Sequence, residues 1–511
     1  MSLSSNEPSR PASPSRLTTI GAPLLVLALA LWAYRQTLLP GVGVWDTAEF
    51  QAVPYLLGIM HATGYPFYTL VGKLASCWPT GSIAWRMNWF SALSAALAAA
   101  ALTRAAMRLG VGWIPATAAG LALAFDAAFW QTADGADPHT LQTLLHVLIF
   151  SQAIAWTQTR RLRDLAVLAL LSGFALANHL LFTLIVPALA LLILLVEPAL
   201  LKRPKSLAAL VGCLLPGLAC FAYLPLRARQ NPPLDYGRPT DWPHFRKLVL
   251  GEQFHQDMGF LNLSGLESFL VQLYRIPDLV ASWLTPTGMI AAFALALVGL
   301  GVLARRNWRL AIFFLAAGLV PLYVACTWID GGIERYFFTT TAVLLLLAAL
   351  GAQGILDSLR HIPVRWASRA LAGVLLLALL AGPLMLMRQN WLACDRHTER
   401  GGQQFADAVY SRLKPDAVIL TVWIDSTPLW YTHFVEGRRP DVTILDESNV
   451  ITGNYGSMND AIAAWLGKRP VYLCKPSYDV ATARQRFTVR DCGPMPRFGY
   501  DLVEVLPPSK P

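Results

Sequence analysis

Two carboxylates, Asp46 and Glu49, stand three residues apart in the segment Trp45-Asp46-Thr47-Ala48-Glu49-Phe50. Residues i and i+3 are neighbours on an α-helix, so a helical segment would place both acids on one face. Such a pair can act as a base, hold a metal ion or bind a cation. It lies just beyond the first hydrophobic stretch, in a chain with only 14% charged residues. Other polar groups recur at intervals: His61-Ala62-Thr63-Gly64-Tyr65-Pro66, then Asp134, Asp137 and His139, then Asn178 and His179. Arg227 closes the run Tyr223-Leu224-Pro225-Leu226-Arg227, and Asp330, Glu334 and Arg335 come later.

The elements that must position these residues are membrane spans. Of the 511 residues, 55% are hydrophobic, which excludes a soluble globular chain. About eleven apolar stretches, each near the roughly 20 residues that a bilayer requires, run from Leu17 to Met387. Their approximate centres are Ala28, Ala98, Leu121, Leu148, Leu170, Leu189, Cys213, Ala291, Ala316, Leu345 and Leu376. Residues 65–78 form a shorter stretch carrying Lys73, read as a helix on the membrane surface, with a span as the alternative. Basic residues mark every second loop: Arg104 and Arg108; Arg160, Arg161 and Arg163; Lys202, Arg203 and Lys205; Arg305, Arg306 and Arg309; Arg360, Arg365 and Arg369. By the positive-inside rule the N-terminus is cytoplasmic and the tail is exported. The net charge of +10 thus reflects topology and gives no reason to expect nucleic acid as a partner.

The resulting fold class is mainly α: a polytopic membrane protein with a small C-terminal α/β domain outside the cytoplasm. Residues 1–16, rich in Ser and Pro, read as a disordered cytoplasmic tail. Residues 17–388 form the membrane domain, with long outer loops at 39–86 and 227–277. Residues 389–511 form the exported domain. There, Ala417–Trp423, Val442–Leu445 and Val471–Cys474 read as strands, with helical segments at Pro428–Glu436 and Met458–Leu466, which predicts a parallel sheet. Asp425 would lie just past the first strand, where such sheets bind ligands, and is a candidate acceptor contact. Of the seven cysteines, Cys474 and Cys492 lie in this domain and are free to pair or not. The polar residues gather at the outer ends of the spans and leave the midplane nearly free. Transporters place such groups at mid-membrane between repeats. The layout suits an interfacial enzyme better than a pump.

The ordered set WDTAEF, HATGYP, GSIAWRMNWFSAL, NHL, YLPLR with NPPLDYG, and DSTPLWYTHFVEGRRPDV resembles a multi-span family of once-unknown function. That family includes an animal protein O-mannosyltransferase of the endoplasmic reticulum acting on plexin-type receptors. The resemblance covers about Leu39 to Ser448 and implies a membrane-embedded glycosyltransferase of the GT-C type. Its donor would be a polyprenyl-phosphate-linked sugar, with a protein, lipid or polysaccharide as acceptor. Asp46, with Glu49 as the other candidate, falls at the acidic catalytic position. Ala62 and Thr63 replace two prolines of the family's His-Pro-Pro-Gly-Tyr-Pro pattern, and Ala136-Asp137-Pro138-His139 departs from its Ala-Glu-Val-Tyr.

Transfer from a lipid phosphate needs a base for the acceptor hydroxyl, tolerance of an oxocarbenium-like centre, and stabilisation of the departing phosphate. A carboxylate supplies the first two. With a single base and no sugar-enzyme intermediate, configuration inverts. Arg227 and Arg335 are candidates for the phosphate, because guanidinium forks match its oxygens. His61, His179, Asn178, Tyr65 and Asp137 are further donor-binding candidates, and Trp45 is placed to stack on a sugar. A divalent metal, Mg or Mn, is compatible with the acidic pair but not required by it. The location implied is the inner (plasma) membrane. A transporter or flippase of lipid-linked sugars, with Asp46 and Glu49 holding a coupling ion, is the reading from a different class.

Overall fold

The computed structural model describes residues 16–257, 286–328, 332–446, 455–496 and 501–507. Residues 1–15 of the expected tail, Asp330 and the later part of the 227–277 loop lie outside the described residues.

The apolar stretches all fall on helices. The first nine helices are α1 (Arg16–Thr37), α2 (Asp46–Leu56), α3 (Pro66–Ser76), α4 (Ile83–Arg108), α5 (Trp113–Ala124), α6 (Ala127–Ala133), α7 (Pro138–Thr159), α8 (Leu162–Asn178) and α9 (Val186–Val196). Long helices follow at Pro204–Leu218, Pro286–Cys326, Phe338–Leu359 and Arg365–Cys394. Six described helices are long and apolar enough to cross a membrane, or up to seven if α5 and α6, bent by 64°, form one span. The difference from the expected eleven has physical causes. Pro286–Cys326 merges two stretches across a non-helical residue, Asn307. Helix α8 has only 17 residues, and α7 carries Thr, Gln and His side chains along its length.

Small residues let these helices pack closely, as membrane helices require. A Cβ on Gly299 would come within 1.9 Å of the Leu347 carbonyl, and one on Gly351 equally close to that of Leu295, so Pro286–Cys326 and Phe338–Leu359 touch backbone to backbone. The buried face of α4 is mostly alanine.

The first long loop holds two short helices. Helix α2 starts with both acids in its first turn, where they complement the helix dipole. It stops at Leu57, whose φ of 52° is left-handed. Helix α3 has 11 residues, about 16 Å at 1.5 Å per residue. That is too short to span, in keeping with the surface reading of 65–78.

The last long helix continues to Cys394, past the expected domain boundary at 389. The C-terminal domain then builds a five-stranded sheet in the order β2-β1-β3-β5-β4. Strands β1 (Val418–Thr421), β2 (Thr443–Asp446) and β3 (Val471–Cys474) are parallel, as their apolar runs predict. Strands β4 (Thr488–Pro494) and β5 (Asp501–Leu506) extend it antiparallel. Along β1, Ile419 faces one apolar cluster, while Val418 and Leu420 face another, so the sheet is covered on both sides. Cys474 and Cys492 are both free thiols.

This domain sits on the loop that carries Asp46. Tyr431 Oη accepts from the Ala84 amide at 2.9 Å, and Trp430 and Tyr431 join the membrane core cluster.

Candidate active site

Asp46 opens α2 directly after Trp45, whose φ of 54° and ψ of −146° place a non-glycine residue in a sparsely populated region. Such strain persists only where its surroundings hold it. Here the first loop is clamped by two buried amides. Gln51 Nε2 donates to Asn88 Oδ1 at 2.7 Å, and Gln51 Oε1 accepts from the Gly43 amide at 2.9 Å. Asn88 Nδ2 in turn donates to the Leu39 carbonyl at 2.7 Å.

The Asp46 carboxylate is 27% exposed and faces a cavity of about 1660 Å³. Its Oδ1 accepts from the Trp423 indole Nε1 at 3.0 Å, and its Oδ2 lies 3.6 Å from Arg335 Nη2. Burial favours the neutral acid, but His61, Arg335 and the Trp423 indole outweigh it and hold the Asp46 carboxyl below its ordinary value. Asp46 is therefore an ionised carboxylate directed at the cavity.

Glu49 is placed differently. It is only 1% exposed and does not line the cavity. Its Oε1 accepts from the His61 amide at 2.9 Å, and its Oε2 pairs with His61 Nδ1. Unlike Asp46, the Glu49 carboxylate is turned away from the cavity and holds His61. One helical turn from Asp46, it points into the protein because His61 folds back over it. Burial raises the Glu49 carboxyl against the pull of His61. Burial also opposes charge on His61, yet Glu49 and Asp46 prevail and raise it to about 9. His61 lines the cavity with Tyr65, whose Oη is 3.3 Å from His61 Nε2.

On the other wall, Asp137 caps α7. Its Oδ1 accepts from the His139 amide at 2.7 Å and faces His139 Nδ1 at 2.8 Å. Its Oδ2 meets Arg335 Nη1 at 2.9 Å. Ser91 of α4 fixes this turn by accepting from the Asp137 amide at 2.8 Å. Burial raises the Asp137 acid, but His139 and Arg335 outweigh it and keep the carboxyl well below its ordinary value. Arg335 therefore bridges Asp46 and Asp137. His179 lines the same wall, its ring 4.7 Å from that of His139 and 5.3 Å from that of Tyr65. Trp45, 58% exposed, lines the rim.

Three sequence candidates fall elsewhere. Arg227 donates through Nε to the Leu57 carbonyl at 2.5 Å and through Nη2 to that of Leu56 at 3.2 Å. It caps α2 and does not line the cavity, since the unsatisfied carbonyls of a helix end attract a nearby guanidinium. Asn178 donates to Gln142 Oε1 at 2.8 Å and to the Pro138 carbonyl at 3.2 Å, tying α8 to α7. Asp425 is buried inside the C-terminal domain beside Cys474, and burial, weakly opposed by that thiol, raises it to about 7.

The cavity also gains residues not singled out from the sequence. Trp423, Asp446, Arg396 and Tyr236 all line it. Trp423 lies 377 positions from Asp46, so no local pattern announces the pairing. Its position at the end of the first predicted strand was the only available signal, and it points to the neighbour Asp425 equally well. Leu180, Leu181, Leu184, Val324 and Trp328 give the cavity an apolar side.

Among the described residues, no three His, Cys, Asp or Glu side chains come together to hold a metal ion. Asp46 and Glu49 instead face Arg335 and His61. This donor set does not fit a resident divalent cation.

A helical membrane domain with a small sheet domain closed over an acidic cavity defines a polytopic membrane protein of the fold seen in ArnT. The crystal structure of ArnT from Cupriavidus metallidurans bound to undecaprenyl phosphate matches with a TM-score of 0.56 at 14% identity, covering 96% of this chain and 98% of that one. Its apo state gives 0.57 at 13% identity, covering 95% and 98%. Within that class, residues 46–201 match the family model described as the Protein O-mannosyl-transferase TMEM260 N-terminal domain. The mouse Protein O-mannosyl-transferase TMEM260 is 24% identical over 473 residues, 86% of this chain. The match spans 64% of the length of that relative.

Proposed function

We propose that this protein is a membrane glycosyltransferase. It moves a sugar, with mannose as the leading candidate, from a polyprenyl-phosphate-linked donor to a hydroxyl on a protein. The observation that carries this reading is the ionised Asp46 carboxylate, held between Arg335 and Trp423 at the edge of a cavity with an apolar side. The lipid chain of the donor occupies the apolar side and its phosphate approaches Arg335. Asp46 takes the proton of the acceptor hydroxyl as that oxygen bonds to the anomeric carbon. The bond from that carbon to the phosphate oxygen breaks, and its electron pair leaves with the lipid phosphate. One carboxylate acting from one side implies inversion at the anomeric carbon. His61, charged by its pairing with Glu49, adds positive potential beside the leaving group.

The relatives support this reading. One solved structure of the fold holds undecaprenyl phosphate, and the curated relative is a protein O-mannosyl-transferase. The basic loops support an inner-membrane protein with a cytoplasmic N-terminus and its cavity on the exported side. The same geometry admits a lipid or polysaccharide hydroxyl as acceptor.

The test is a liposome assay with purified protein, a polyprenyl-phosphate-linked labelled mannose and hydroxyl-bearing peptides. Labelled peptide with inverted configuration is expected. Movement of the lipid-linked sugar between leaflets without any transfer would instead establish a transporter.

A further inference from the structure

The cavity contains one polar atom that the site described above does not use. His139 is 5% exposed, lines the cavity, and its Nε2 has no hydrogen-bond partner. Buried polar groups in folded proteins are nearly always paired, so an orphan at a cavity wall marks a ligand contact. The rest of the ring is fixed. Nδ1 faces Asp137 Oδ1 at 2.8 Å, which keeps a proton on that nitrogen. One face packs on His179, at 4.7 Å between ring centres, and Tyr336 lies at 5.8 Å. Nε2 is left for the occupant of the cavity.

Resting on the proposed transfer from a lipid phosphate, we infer that His139 Nε2 is the hydrogen-bond partner of the phosphate oxygen on the lipid carrier. Four observations favour an anion there. Arg335 lies beside His139, because Asp137 holds both, Oδ1 to the histidine and Oδ2 to the arginine. Both oxygens of that carboxylate are engaged, so the Arg335 guanidinium and the His139 ring form the front of the cluster. His139 is the second residue of α7, a 22-residue helix whose N-terminus carries positive potential. The neighbouring wall, Leu180 to Leu184, is the apolar side suited to a prenyl chain. A phosphate monoester has its second ionisation near pH 6, so it readily shares one proton with an imidazole nitrogen. After transfer the lipid carrier is such a monoester: the bond from the anomeric carbon to the phosphate oxygen has broken, that oxygen has kept the electron pair, and a proton that the phosphate then takes up from water is shared with Nε2. The interaction therefore forms with the monoester that transfer produces, and His139 acts on the leaving group while Asp46 acts on the acceptor.

Full-length protein in detergent is titrated with decaprenyl phosphate, decaprenol and inorganic phosphate, following tryptophan fluorescence. Wild-type protein should prefer decaprenyl phosphate to decaprenol. His139→Gln should weaken decaprenyl phosphate at least tenfold and leave decaprenol unchanged. His139→Tyr, which keeps a hydroxyl at the position, should recover part of the loss. Unchanged decaprenyl phosphate affinity in His139→Gln overturns the inference while leaving the proposed function intact. Equal wild-type affinity for decaprenyl phosphate and decaprenol overturns the proposed function itself. Tight binding of inorganic phosphate alone, lost in His139→Gln, would show a free-anion site and overturn the lipid assignment. If either variant misfolds, diethylpyrocarbonate labelling of wild-type protein decides. Decaprenyl phosphate, but not decaprenol, should protect His139, and equal labelling in both would overturn the inference.

Discussion

In the proposed transfer Asp46, Arg335 and His61 carry most of the chemistry, and their charge states set a pH window. His61 is raised to about 9 by Glu49 and Asp46 against the opposing effect of burial. Its charge therefore contributes stability that is complete below the unfolded value of about 6.5 and is lost as pH rises through about 9. Asp46 is held low and stays ionised across that range. The transfer rate is expected to fall on the alkaline side near pH 9, and Glu49→Gln should move that fall to lower pH. A pH–rate profile of both proteins checks this, and an unmoved alkaline limb in Glu49→Gln would separate His61 from the reaction. Arg335→Lys should lower transfer by about 10- to 100-fold, because a lysine cannot bridge two partners as the planar fork does. Steady-state kinetics with varied donor measures it. The i,i+3 spacing made the acidic pair legible in the sequence, but not the division of labour within it. Which carboxylate faces the cavity depends on where His61 folds, and that is a tertiary fact.

At the scale of elements, α2 is the part that places Asp46, and both of its ends are secured from afar. At its C-terminus the Arg227 guanidinium takes two carbonyls. Arg227→Ala should lower thermal stability by about 1–2 kcal/mol, the size of a lost charge-assisted hydrogen bond at a half-buried site. It should leave the donor affinity of the folded protein unchanged. A melting curve with a donor titration tests both, and a specific loss of donor affinity would restore Arg227 to the phosphate. A cation at the end of a span looks the same in sequence whether it faces a phosphate or a helix end. The sheet shows the same limit. Strands β1 and β3 are buried on every residue and were legible as apolar runs, whereas β4 is largely exposed and polar and gave no such signal.

Across the whole molecule, the C-terminal domain completes the site. Trp423 reaches from it to Asp46, and Asp446 lines the same cavity. Trp423→Phe keeps the ring but removes the indole donor. It is expected to lower kcat about tenfold with little change in KM, as expected for a residue that orients the carboxylate. An equal rate in that variant would leave the domain a cover only. The helical membrane domain and the three parallel strands were legible from apolar patterning. The closure of one domain on the other was not, because it rests on side chains hundreds of residues apart. The central claim is that the Asp46 carboxylate meets a membrane-borne sugar. Single-turnover transfer by reconstituted Asp46→Asn protein, with donor binding measured in parallel, tests it most directly. The account predicts donor binding near that of the wild type and transfer reduced at least a thousandfold, on the order of losing a positioned base. Transfer at the wild-type rate in Asp46→Asn would contradict it.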